Sequence, residues 1–228
     1  STVAAAISGN SAMNMRITSG KATFDGNDPI DLLATQGIPR ELRGQRISLL
    51  PQRALNALNP TARIGDFAFD VVRSHDKKMT RRDALDKTGE RLDQLGLPRN
   101  VLNMYPHQLS GGMRQRVVTV VSTLLDPEIL IADEPTSALD VSSQKALVLM
   151  LQKMMEEGML SRAIFITHDL ALLSNIATRI AIMKDGEILE TNTTDEIVNN
   201  SQHPYTRMLL NSVLEPDPSV RTRVIRGT

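Results

Sequence analysis

Two neighbouring carboxylates, Asp133 and Glu134, close the apolar run Ile129-Leu130-Ile131-Ala132. Such a run reads as a strand of a parallel sheet covered on both faces. Open α/β sheets bind ligands beyond the carboxyl ends of their strands. At that position Asp133 can hold a divalent metal, directly or through water, and Glu134 can orient or deprotonate an attacking water. Upstream, Leu109-Ser110-Gly111-Gly112-Met113-Arg114-Gln115-Arg116 places a small-residue turn before a helical pattern. Ser110 suits an N-cap, and the glycines leave N–H groups open to an anion at the positive end of the helix. One stretch can hold an anion, the other a metal and a water. Together they describe half of a nucleotide-hydrolysing site. Each has a plainer reading too: two acids capping a strand, and a Ser-Gly-Gly turn that only caps a helix.

The elements that must position these residues alternate between strand and helix. Residues 1–8 read as helical. Lys21–Phe24 reads as a strand closed by the turn Asp25-Gly26-Asn27-Asp28-Pro29, and Ile47–Leu50 as a second strand. The pattern is helical over Ile64–Arg73, Arg81–Leu95, Val101–Met104 and Gly112–Leu125, with Met113, Val117, Val120, Val121 and Leu124 on one inward face. Ser142–Glu157 is a helix with Leu147, Met150, Leu151, Met154 and Met155 on one side, the methionines serving as core filler. Ala163–Thr167 is a buried strand. Ala181–Met183 and Glu187–Leu189 flank Lys184-Asp185-Gly186 as a hairpin, and Thr194–Asn199 is a short helix. The tail, with Pro204, Pro216 and Pro218, is expected to be peripheral.

Composition narrows the classes. With 228 residues the chain is long enough for one full α/β core. Its 26 basic and 26 acidic residues balance, so no global field argues for nucleic acid. There is no cysteine, which excludes disulfides and thiolate metal sites. The four histidines are too scattered for a zinc set.

Leu109-Ser110-Gly111-Gly112 with Gln115-Arg116 resembles the signature sequence of the ATP-binding-cassette (ABC) ATPases. Asp133-Glu134-Pro135-Thr136-Ser137-Ala138-Leu139-Asp140 resembles that family's metal-binding strand end and D-loop. Gln52, in Ile47-Ser48-Leu49-Leu50-Pro51-Gln52, resembles its Q-loop, although Pro51 stands where an aromatic residue or Met is usual. His168, after Ile164-Phe165-Ile166-Thr167, resembles its switch histidine. The resemblance implies an α/β P-loop NTPase core with a mostly parallel sheet and a helical subdomain. It implies ATP and Mg²⁺ as cofactors. Glu134 and His168 would be catalytic; Ser110, Gly111, Gly112, Gln115, Asp140 and Gln52 would contact nucleotide; Asp133 and Gln52 would serve the metal. No G-x-x-x-x-G-K-[ST] occurs in the chain. In that motif Gly-Lys leads into a pair like Ser1-Thr2 and then a small-residue helix. The reading therefore expects the chain to begin inside the Walker A motif, with Ser1 as a metal-binding hydroxyl and Thr2 beside the nucleotide. The expected division is a first core part at 1–60, a helical subdomain at 61–125, a second core part at 126–200 and an extension at 201–228.

His203-Pro204-Tyr205-Thr206-Arg207 and Leu58-Asn59-Pro60 further resemble the ATP-binding subunits of oligopeptide, dipeptide and nickel importers. That likeness implies a second ATPase subunit, integral membrane permease subunits, an extracellular solute-binding protein indirectly, no nucleic acid, and a place at the cytoplasmic face of the membrane. Two other classes stay open: a non-transport ABC ATPase, and an interaction subunit that does not hydrolyse ATP.

Overall fold

The computed structural model describes residues 1–8, 16–24, 29–52 and 58–214. The expected turn at Asp25-Gly26-Asn27-Asp28 and the tail prolines Pro216 and Pro218 lie outside them. The described residues divide into two units, Ser1–Ile166 and Thr167 onward.

In the first unit, three parallel strands run in the order β3-β4-β5: β3 (Ile47–Leu50), β4 (Ile129–Asp133) and β5 (Arg162–Ile166). Their register pairs Leu50 with Ala132 and Asp133 with Ile166, so all three chains leave the sheet at the same end. Strand side chains alternate between faces, and both faces are apolar. Leu50, Leu130, Ala132 and Phe165 enter the larger core, whereas Ile47, Ile131 and Ile166 enter a smaller one. This is why the β4 stretch is continuously apolar rather than alternating.

The smaller core is closed by α1 (Thr2–Ser8) through Ala4 and Ile7, by the short antiparallel pair β1 (Lys21–Ala22) and β2 (Ile30–Asp31) through Ala22 and Ile30, and by Phe24 just beyond β1. A single helical turn, α2 (Leu32–Thr35), follows; Asp31 caps it by accepting from the N–H of Leu33. On the other face lie α3 (Ile64–Arg73), α4 (Arg81–Gln94), α5 (Gly111–Ser122) and α6 (Val141–Glu156). Val117, Val120, Val121 and Leu124 are fully buried as their spacing requires, and Met113 packs against the same core. In α6, Leu147, Met150, Leu151 and Met154 are buried, but Met155 is exposed, one step off the inward face. The helix expected at Val101–Met104 is a 3₁₀ turn over Arg99–Asn103.

The second unit holds α7 (Leu170–Ile176), a hairpin of β6 (Arg179–Lys184) and β7 (Glu187–Thr193), α8 (Thr194–Asn200) and α9 (Pro204–Leu214). The hairpin is where the sequence places it, but longer on both arms. Its core is Leu170, Ile180, Ile182, Ile197 and Leu210. The His-Pro-Tyr-Thr stretch opens α9. Pro204 takes the first helical position, where its missing N–H costs nothing. His203 Nδ1 accepts from the Tyr205 N–H at 3.1 Å, and Glu190 of β7 accepts from the Gln202 N–H at 2.8 Å. Among the described residues no helix is long and apolar enough to cross a membrane.

Candidate nucleotide site

The expected site residues fall into two groupings in the first unit. The first gathers where β4 ends. Asp133 is 5% exposed, and its Oδ2 takes a hydrogen bond from the backbone nitrogen of Ser1. Its Oδ1 is buried with no hydrogen-bond partner among the described residues. Leaving a carboxylate oxygen buried and unpaired is costly. Ser1 Oγ accepts from the Ala4 N–H at 3.2 Å, so Ser1 caps α1 while its nitrogen meets Asp133. Thr2 is the exposed first residue of that helix.

Glu134 extends the β4–β5 ladder by donating its N–H to Ile166 at 2.8 Å. It then turns sharply, with φ at +50°. For a residue with a Cβ this left-handed conformation costs about 1–2 kcal/mol, and such strain gathers at functional sites. The turn is held by Ser137, whose N–H and hydroxyl both donate to the Glu134 carbonyl, at 3.3 and 3.1 Å. Gln52 sits on an exposed turn two residues beyond β3, at the same end of the sheet as Asp133 by the strand register. Among the described residues no group of three or more His, Cys, Asp or Glu side chains is placed to hold a metal. A cation at Asp133 would need donors beyond these side chains, such as hydroxyl, amide, water or phosphate oxygen.

The second grouping joins the N-termini of α5 and α6. Ser110 is extended (φ −61°, ψ 160°) and its Oγ accepts from the Met113 N–H at 3.2 Å, the N-cap that the sequence suggests. Ser110 and Gly111 are exposed. Gln115, five residues beyond Ser110 in α5, is 4% exposed. Arg114 donates from Nη2 to the Leu109 carbonyl at 3.3 Å, bracing the turn from behind. Asp140 caps α6. Its Oδ1 accepts from the Ser142 hydroxyl at 2.5 Å and the Ser143 N–H at 2.9 Å, and its Oδ2 from the Ser143 hydroxyl at 2.9 Å. The Ser142 hydroxyl, then the Ser143 N–H and hydroxyl, hold the Asp140 carboxyl at about 2, below its ordinary 3.8. Sequence reasoning missed Ser142 and Ser143. The Asp-x-Ser-Ser pattern signals a cap, but not what the cap packs against.

His168 belongs to the second unit. It is exposed and stands one residue before Asp169, which caps α7 by accepting from the Leu172 N–H at 2.9 Å.

A family model described as "ABC transporter" matches residues 1–137, and one described as "Oligopeptide/dipeptide transporter, C-terminal region" matches residues 189–228. The dipeptide transport ATP-binding protein DppD of Lactococcus lactis is 42% identical over 223 residues, covering 96% of this chain and 63% of the relative. The oligopeptide transport ATP-binding protein OppF of Salmonella typhimurium is 38% identical over 206 residues, covering 90% of this chain and 60% of the relative. The chain thus spans less than two-thirds of the length of these relatives. Among solved structures, the dimeric post-hydrolysis state of the ATP-binding cassette MJ0796 bound to ADP and Pi matches with a TM-score of 0.67 over 85% of this chain and 79% of that one. At 24% identity that likeness concerns the fold.

Proposed function

The chain belongs to the ABC transporter family, and on that premise we propose that it binds and hydrolyses ATP to drive a membrane permease importing peptides or related small solutes. The observation that carries this reading is Asp133: a buried carboxylate at a strand end, one oxygen unpartnered, followed by a strained Glu134. The names of the relatives, dipeptide and oligopeptide transport ATP-binding proteins, support the importer class and the peptide-like solute. Such a subunit works at the cytoplasmic face of the membrane, paired with a second ATPase subunit and docked on permease subunits; an extracellular solute-binding protein acts indirectly.

Mg²⁺ fits the residues present. The free Oδ1 of Asp133 is a hard oxygen donor, Ser1 beside it carries a hydroxyl, and Gln52 leaves the sheet at the same end. Bound there, the cation would offset charge on the phosphate oxygens of ATP. Glu134 orients the attacking water and takes its proton. For His168 the proposal rests on its likeness to the family's switch histidine alone, which gives it a role toward the γ-phosphate. The Ser110-Gly111-Gly112 turn of a second copy offers N–H groups to the same phosphate, with Asp140 alongside. Thr2 lies next to the nucleotide, whereas the burial of Gln115 suits a supporting role behind the turn.

The test is Glu134→Gln in the full-length protein. ATP binding should persist while turnover falls by about 10²–10⁴, the usual loss on removing a positioned base. Turnover within twofold of the parent would remove Glu134 from the mechanism.

A further inference from the structure

The two glycines of the Ser110-Gly111-Gly112 turn have different surroundings. A Cβ on Gly111 would meet nothing within 4 Å. A Cβ on Gly112 would lie 2.7 Å from Ser143 Cβ, with Ser143 Oγ closer still. Real Cβ atoms do not approach so closely. Gly112 is therefore required by the chain itself, because the start of α6 packs onto it. Ser143 is also one of two side chains bonded to Asp140, through its hydroxyl at 2.9 Å. One hydroxyl thus stands between the two loops, bonded to one and in contact with the other. On the outer side, Ser110, Gly111 and Asp140 are exposed, and Val141 is 81% exposed.

We propose that Ser143 is a positioning residue that locks the Asp140 loop against the Ser110-Gly112 turn, so that a second copy meets both as one surface. This rests on the ATP-dependent pairing proposed above. Without the hydroxyl, Asp140 keeps its bonds to the Ser143 N–H and the Ser142 hydroxyl, and α6 stays capped. What is lost is the tie that sets the loop's position relative to Gly112. A merely structural serine would affect folding; a positioning serine affects association while folding is kept.

The test uses full-length protein in a Glu134→Gln background, with ATP-driven association followed by light scattering. Ser143→Ala should weaken association about five- to tenfold with the unfolding midpoint unchanged, and Ser143→Thr, which keeps the hydroxyl, should restore it to within twofold. Gly112→Ala should weaken association strongly. Added to Ser143→Gly, which empties the space its Cβ would enter, the same change should cost less than twofold more. Association unaffected by Ser143→Ala, or strictly additive losses in the Gly112/Ser143 pair, would overturn the proposal. A second readout needs no ATP. In amide spectra of the nucleotide-free protein, Ser143→Ala should shift the Gly111 and Gly112 signals together with the Asp140 carboxyl titration. If the parent fails to associate with ATP, the pairing reading fails, and these spectra still decide on Ser143: unmoved Gly111 and Gly112 signals would overturn the lock.

Discussion

Arg91 offers a quantitative test of what holds the signature helix in place. It lies on α4 and is 8% exposed. Its Nη1 donates to the Thr123 carbonyl, at the C-terminal end of α5, at 3.3 Å, and its Nη2 pairs with Asp126. The guanidinium therefore ties α4 to the tail of α5 just before the chain enters β4. Two effects separate by substitution. Arg91→Ala removes two buried methylenes, at about 0.8 kcal/mol each, together with the polar ties. Hydrogen bonds to a charged group are worth about 1.5–3 kcal/mol when buried. Asp126 is half exposed, so water partly replaces its share. The Thr123 carbonyl also keeps a bond from the Asp126 N–H at 3.1 Å. The polar part is thus about 1.5 kcal/mol, and the total for Ala about 3 kcal/mol. Arg91→Met keeps the apolar stem and should cost only the polar part, about 1.5 kcal/mol. Urea unfolding at neutral pH measures both through the midpoint at constant slope. An Ala variant within about 0.5 kcal/mol of the parent, or a Met variant as damaging as Ala, would refute the division.

Gly111→Ala places its methyl in open space, so the unfolding midpoint should hold or rise slightly, since Ala is the better helix former. ATP-driven association should nevertheless fall by about tenfold or more if the turn's N–H groups must approach a phosphate; unchanged association would sink that role. The Asp140 cap should be acid-resistant. A carboxyl held at about 2 in the fold and near 3.8 when unfolded contributes its full share above about pH 4 and loses it as pH falls towards 2. A carbon NMR titration of Asp140 with a midpoint near 4 would contradict the three-bond arrangement.

The sequence betrays the sheet because burial on both faces leaves an uninterrupted apolar run, as at Ile129–Ala132, and because β4 ends in two acids that no core would accept. It betrays α5 through the spacing of Val117, Val121 and Leu124. It does not betray α7, of seven residues, or most of α9, nor β2, only two residues long. The left-handed turn at Glu134 has no residue signal, since glycine is what such a φ normally calls for. The burial of Gln115 is hidden for a different reason. A motif position says nothing of which way a helix rotates, and α5 turns this side chain inward. The contact of Gly112 with Ser143 joins residues 31 positions apart, and only the packing of α5 on α6 creates it.

The burial of α5 also bears on how the chain folds. Gln115, Val117, Val118, Thr119, Val120 and Val121 are all buried, and every one of Val117–Val121 is β-branched. Such residues are poor intrinsic helix formers, because their χ1 freedom is lost against the preceding turn. The segment therefore has little reason to become helical by itself, and must wait for Leu50, Leu130, Leu147, Ile64 and Leu92 to surround it. This predicts that it forms late, with the long-range contacts, and opens only when the whole core opens. Amide exchange at Val117–Val121 should then proceed only by global unfolding, whereas the exposed residues Ser110 and Gly111 at its mouth exchange freely. The Ser110-Gly111-Gly112 turn, proposed above to meet a partner, is thus mounted on a helix whose middle is buried throughout.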